Sequence, residues 1–459
     1  MSLDTTAGAP PVPGISRSKR AGAVSKRYVS LVIAILMLIN ILNVADRELL
    51  APLYVPVSQE LNLNDLQFGT IRTAVNLALI AGIILFGLLA DRWKRRNIIG
   101  LAVICWSAIT WRTGQAQTFL QLLTARAGMT FFEAAFAPSA YSMISDLVPR
   151  GKRGGVMGLM GSTFAIGTVV ALVVAALLGT ENWRQPFIYF GVPGIILGVL
   201  VFVVIREPPR GAAEDEVMEV GAYSGRFSRA ALRRTLRIRS AVLIYLLDAC
   251  QGSTWWAFAF WAPAYLLRQG IAPDADTAAL ALLPAILGFV VGTVLGGWLI
   301  DRLRRRTERA AAWVSLVSVA GALTMSVIVF SLQDLTAVLV AGFFLGLFGY
   351  LIMPAVSVML YDVVPPETRA SATAADGVIL SAVSAATSLA IGGVSYYVGQ
   401  WQGLAEGNLR AGFQGACTVL LIGAVVFCVA LLRRLPRDMA ALREYVAERA
   451  TALPGDAGE

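Results

Sequence analysis

The stretch Gly87-Leu-Leu-Ala-Asp91-Arg92-Trp-Lys-Arg95-Arg96 returns later as Gly297-Trp-Leu-Ile-Asp301-Arg302-Leu-Arg-Arg305-Arg306. Every signature position moves by the same step. A second echo follows each copy at a constant offset, Pro138, Asp146, Pro149 and Arg153 matching Pro354, Asp362, Pro365 and Arg369. Both copies of the cassette close a long apolar run, so the chain reads as two related membrane halves.

The composition agrees. Hydrophobic residues make up 57% of the 459 positions and charged ones 15%, with a mean hydropathy of +0.69. Soluble domains carry about 25% charged residues, and no water-facing fold of this length buries so much apolar surface. Apolar runs occur near 28–55, 67–90, 97–115, 118–145, 154–179 and 186–205. They resume near 240–267, 276–300, 309–331, 335–361, 371–399 and 411–432. Each is close to the roughly 20 residues needed to cross a bilayer. The expected architecture is therefore all-α, with twelve transmembrane helices in two pseudo-symmetric six-helix bundles. The first bundle occupies 28–205 and the second 240–432. A tail at 1–27, a linker at 206–239 and a second tail at 433–459 are expected in the cytoplasm.

Basic residues test that orientation. With both termini cytoplasmic, only Arg112, Arg184, Arg268 and Arg410 of the 38 Lys and Arg residues fall outside, and Arg47, Arg72 and Arg126 lie within spans. Such a bias obeys the positive-inside rule, and it accounts for the net charge of +9 without any nucleic-acid partner. In the linker, Phe227, Leu232, Leu236 and Ile238 interleave with arginines. Two readings fit, an amphipathic helix on anionic headgroups or a solvated connector.

The four cysteines fall in apolar runs and read as small buried hydrophobes, and histidine is absent. Proton chemistry must therefore use carboxylates. No nucleophile elbow, phosphate loop or metal-ligand spacing is present, so neither an enzyme nor a resident cofactor or metal is expected. An intramembrane enzyme or a membrane sensor is the different class to weigh. The first lacks a nucleophile–base constellation, and the second an added soluble domain.

The duplicated cassette resembles the signature loop of the major facilitator superfamily, whose members are transporters. The resemblance implies a cytoplasmic gate of Asp91, Arg92, Arg95 and Arg96, with Asp146 and Arg153 as partners. Asp301, Arg302, Arg305, Asp362 and Arg369 repeat the device in the second half. The motifs Asn43-Val-Ala-Asp46-Arg47, Ala125-Arg126-Ala-Gly128 with Glu133-Ala134, Trp183-Arg184 and Glu207-Pro-Pro-Arg-Gly211 are similar to the spinster-like branch. That likeness implies an anionic amphiphile such as a lysophospholipid or sphingolipid-like molecule as substrate. It would move by rocking of the two bundles, proton-linked or facilitative. A small organic acid or an exported drug is the alternative cargo. A monomer in a bacterial inner or plasma membrane is the expected setting.

Charges at membrane depth are costly and therefore functional by default. Asp46, Arg47, Arg126 and Glu133 are expected to cluster in the first half. Arg126 and Glu133 share a helix face about 10 Å apart. Asp46 and Glu133 are the proton-coupling candidates. Asn43, Arg47 and Arg126 are the candidates for binding an anionic headgroup, since guanidinium grips phosphate or carboxylate bidentately. In the second half Asp248, Gln251 and Trp255 follow helical spacing and are expected to line the cavity, while Trp255, Trp256 and Trp261 also fit an interfacial aromatic belt. Arg72 and Asn76, near the outer end of the second run, fit a snorkelling pair. Gly155, Gly158 and Gly161, and Gly288, Gly292 and Gly296, form small-residue seams for helix contact.

Overall fold

The computed structural model describes residues 25–90, 93–179, 181–208, 233–365, 368–404 and 407–452. Asp91 and Arg92 of the first cassette, and most of the linker, lie outside the described residues. Every described element is helical. The first bundle holds α1 (Lys26–Glu48), α2 (Tyr54–Leu61), α3 (Asp65–Ala90), α4 (Arg95–Thr113), α5 (Phe119–Glu133), α6 (Phe136–Leu147), α7 (Arg150–Val174) and α8 (Arg184–Val204). The second holds α9 (Arg239–Arg268), α10 (Ala275–Leu280), α11 (Leu283–Arg304), α12 (Ala310–Val329), α13 (Leu335–Tyr350), α14 (Met353–Val363), α15 (Arg369–Trp401) and α16 (Leu409–Ala452).

Nine of the described helical segments are long and apolar enough to cross a membrane. The expected spans not among them are α4, the α5–α6 pair and α9. Their sequences explain it: α5 is short and carries Arg126 and Glu133, α4 carries three arginines, and α9 holds Asp248, Gln251 and a Gly-Ser-Thr-Trp-Trp stretch. Each of these helices brings polar side chains inside.

Four expected spans are broken rather than continuous, and proline accounts for each break. A proline has no N–H for the carbonyl four residues earlier. Pro138 leaves Ala134 and Pro354 leaves Tyr350 without that bond, and α5 and α13 stop there before α6 and α14 begin. The breaks occupy equivalent places in the two halves. Pro52 does the same to Glu48, where α1 ends, and Pro284 to Leu280, where α10 ends before α11. At the other extreme α16 runs on to Ala452 through much of the expected cytoplasmic tail, tolerating Pro436 inside it.

Within the first bundle α4 packs on α8, α3 on α5 and α1 on α7; within the second α11 packs on α13 and α9 on α16. Gly288, Gly292 and Gly296 form the predicted seam, lying directly on the α13–α14 backbone at Phe343, Leu347 and Leu351. Gly155, Gly158 and Gly161 differ: a Cβ at any of them would meet nothing within 4 Å. The same holds for Gly87 and Gly297.

Candidate functional site

The last turn of α1 places Asp46, Arg47 and Glu48 in the interior, and α5 brings Arg126 and Glu133 to meet them. Asp46 and Arg126 are each 1% exposed. Thr110 of α4 donates its hydroxyl to Asp46 Oδ2. Arg126 donates to the carbonyl of Asp46 from both terminal nitrogens at 3.2 Å and to that of Arg47 at 2.9 Å. Its closest approach to a carboxylate is 3.9 Å, to Asp46 Oδ1. The Phe187 ring of α8 lies 5.6 Å from the guanidinium carbon.

The predicted cluster is thus assembled, with a bonding pattern the sequence did not disclose. Arg126 holds backbone carbonyls that α1 leaves open at its end. Both carboxylate oxygens of Glu133 are buried without a hydrogen-bond partner, as are Asp46 Oδ1 and Glu48 Oε1. Arg47 donates to Asn43 Oδ1 at 3.3 Å, and its Nε is unpartnered.

The second half contributes differently. Gln251 donates to the carbonyl of Gly349 at 3.3 Å, just before the α13 break. It lines a small cleft inside the second bundle with Thr254, Ser326 and Phe330. Trp255 lines that cleft and also a second one between the bundles, opposite Glu48 and Phe164. Asp248 is half-buried on the same helix. Trp255 and Trp261 are buried among aromatic rings rather than set in an interfacial belt. Arg72 does not snorkel either: it is buried, 5.7 Å from the Trp256 ring and 5.2 Å from that of Phe260. An arginine on one bundle thus stacks on the aromatic wall of the other.

At the end that carries the described termini, Arg95 is 1% exposed. It binds Asp146, as predicted, together with Glu207 at 2.9 Å, Ser142 at 3.0 Å and the carbonyl of Pro208 at 3.0 Å. Glu207 also accepts from the Arg96 amide at 2.8 Å, which ties α4 to the end of α8. Arg153 donates to the carbonyl of Val148 at 3.0 Å. In the second half the partner of Asp362 is Arg304, one residue before the expected Arg305. Arg302 lies over Trp298, and Arg369 over Tyr361 while donating to its carbonyl at 3.1 Å. Asp301 and Arg305 are exposed.

The opposite end holds a group no local motif announced. Arg268 of α9 grips Asp65 of α3 at 2.8 and 3.0 Å and donates to the Tyr54 hydroxyl at 2.7 Å. Tyr54 in turn donates to Asp65, and Ser395 of α15 donates to it at 2.5 Å. The Asp65 side chain is 0% exposed. Beside it α3 and α15 touch backbone to backbone: a Cβ on Gly69 would lie 2.7 Å from the Ser388 carbonyl oxygen. Thr73 donates across the same seam to the Ala385 carbonyl at 2.9 Å. The two bundles are joined at this end, while the ion pairs between described residues at the other stay within one bundle.

Two bundles, a repeated cassette and a buried charge cluster inside the first bundle agree with the family model described as Major Facilitator Superfamily, which matches residues 36–332 and 286–454. The chain belongs to that superfamily. It is a multi-pass membrane transporter and not an enzyme. The chain is 25% identical over 394 residues to Protein spinster homolog 1 of Homo sapiens, covering 81% of this chain and 74% of that one. It is 27% identical over 301 residues to the Probable L-galactonate transporter of Escherichia coli K12, covering 64% and 65%. A solved bacterial homologue of the human lysosomal transporter spinster, inward-facing and unoccupied, superposes with a TM-score of 0.76 at 23% identity. That match covers 92% of this chain and 99% of that one.

Proposed function

We propose that the chain is a proton-linked transporter of an anionic amphiphile, with the substrate path between the bundles and both termini cytoplasmic. On this reading α4, the α5–α6 pair and α9 complete a count of twelve spans. The conformation described is inward-facing, and the protein works as a monomer in a bacterial inner membrane. The observation that carries the proposal is the buried cluster around Arg126.

A buried charge is tolerated only when paired or hydrogen-bonded. Glu133 has neither kind of partner, so it takes up the proton; Asp46, steadied by Thr110, is the second carboxylate. Arg47 has an uncommitted Nε and holds the anionic headgroup, while Arg126 holds the end of α1. The aromatic and aliphatic walls of the cleft between the bundles accept the apolar body. The cassettes control access from the cytoplasm.

Uptake into proteoliposomes tests this with a labelled lysophospholipid and labelled L-galactonate, each with and without a pH gradient. Lysolipid uptake that rises with the gradient, and loses that dependence in Glu133→Gln, is expected. Uptake of the sugar acid alone replaces the amphiphile with a small organic acid as cargo. Unchanged pH dependence in Glu133→Gln removes its proton role.

A further inference from the structure

The cleft between the bundles holds one carboxylate that the mechanism above leaves without work. Glu48 lines it, 6% exposed, with Oε1 buried and unpartnered. Around it the rings run in a continuous series. Trp256 meets Phe164 at 5.7 Å, Phe164 meets Phe289 at 5.9 Å, and Phe289 stacks on Trp255 at 6.3 Å with 19° between planes. Arg72 does not line the cleft, although its own charge over Trp256 demonstrates that this wall accepts a cation.

A buried carboxylate lining a cleft with several aromatic rings, its cationic neighbour Arg72 being already engaged with Trp256 and Phe260, matches the chemistry of an ammonium ion, which gains from ring quadrupoles and from a negative charge in a dry site. We infer that Glu48, Phe164, Trp255, Trp256 and Phe289 form a subsite for the ammonium group of an alkylammonium-bearing substrate. Glu48 and Phe164 belong to the first bundle and the other three to the second. A cation seated there contacts both halves, so its occupancy favours the arrangement that brings the rings together. The inference rests on the cleft being the substrate path and deepens that reading; it does not depend on the cargo being anionic.

The test uses the full chain in lipid nanodiscs and three soluble probes, hexyltrimethylammonium, hexyl phosphate and hexanol. The ammonium probe is expected to bind more tightly than hexanol, and Glu48→Gln to weaken it at least about tenfold. Trp256→Leu should weaken it less. Hexyl phosphate binding should survive Glu48→Gln, which also reports that the variant is folded, and should fall in Arg47→Gln. Ammonium binding no tighter than hexanol, or unchanged in folded Glu48→Gln, overturns the subsite. Loss of phosphate binding with retained ammonium binding overturns the anionic cargo and leaves the subsite standing.

Discussion

The two ends of this molecule are built from similar groups with opposite connectivity. At one end Arg268 reaches from the second bundle to Asp65 and Tyr54 of the first, and the α3 and α15 backbones touch. At the other Arg95 and Arg304 pair with Asp146 and Asp362 inside their own bundles, and the glycines of α7 face open space. The difference separates two roles for a salt bridge. One holds the halves together and must break in each cycle; the other stiffens a half so that it moves as a unit.

The comparison breaks most severely at the glycines. Gly69→Leu places a side chain against the Ser388 carbonyl, so the joined end cannot close. Transport is expected to fall by more than about tenfold, because losing one of two required states stops the cycle. Gly158→Leu is the mirror test. It meets nothing in the present conformation, so folding and cysteine labelling of this state should stay unchanged. Transport should still drop if that face seats the second bundle in the alternate state. Normal transport by Gly158→Leu would show that α7 does not form a seam there.

A smaller effect is expected at the latch. Removing one partner of a buried pair costs about 3–5 kcal/mol, so Arg268→Gln should move the equilibrium toward an open joined end. Spin-label distances across α3 and α15 would report the shift, and unchanged distances would contradict the latch. Smaller again is the contrast between cassettes. Arg95→Ala removes the buried guanidinium that Asp146 and Glu207 share and should lower thermal stability clearly. Arg304 is 42% exposed at the side chain, so Arg304→Ala should cost about 1 kcal/mol or less.

The smallest expected effect concerns Glu60, at the joined end. Burial pushes its carboxyl upward, but hydrogen bonds from Arg184 and Trp183 outweigh it, leaving the group below its ordinary value of 4.5. A lowered value means that the contact stabilises the fold above about pH 4.5 and is lost as the pH falls through the shifted value. Glu60→Gln should therefore flatten a slight acid-side fall in melting temperature, lowering it a little at neutral pH and leaving it nearly unchanged in acid.

These contrasts also explain what could be read in the sequence. The bundles, the cassettes and the cluster of Asp46, Arg126 and Glu133 were legible, because a charge inside an apolar run is conspicuous and a repeat is visible along the chain. Arg95 with Asp146 was legible only through the resemblance to the superfamily's signature loop. The latch was not, since Asp65 and Arg268 are 203 residues apart and each flanks a span like any ordinary loop charge. The register of the second cassette misled by one residue, because symmetry in sequence does not fix which of three adjacent arginines faces Asp362. Arg72 looked like an interfacial residue because its aromatic partners come from the other half. Glu48 was hidden by its neighbours: beside Asp46 and Arg47 it looked like the end of a polar turn.

The grip of Arg126 on the end of α1 has a mechanical side. Those carbonyls are held by a side chain from another helix at the joint before α2. The joint between α1 and α2 therefore has a removable pin, and the pin is a charge. On the proposed reading, a deprotonated carboxylate or a bound anion that draws that guanidinium away would release the carbonyls it holds. On the proposed proton-linked reading, a change of ionisation at this cluster and a change of angle at the end of α1 are coupled through one side chain.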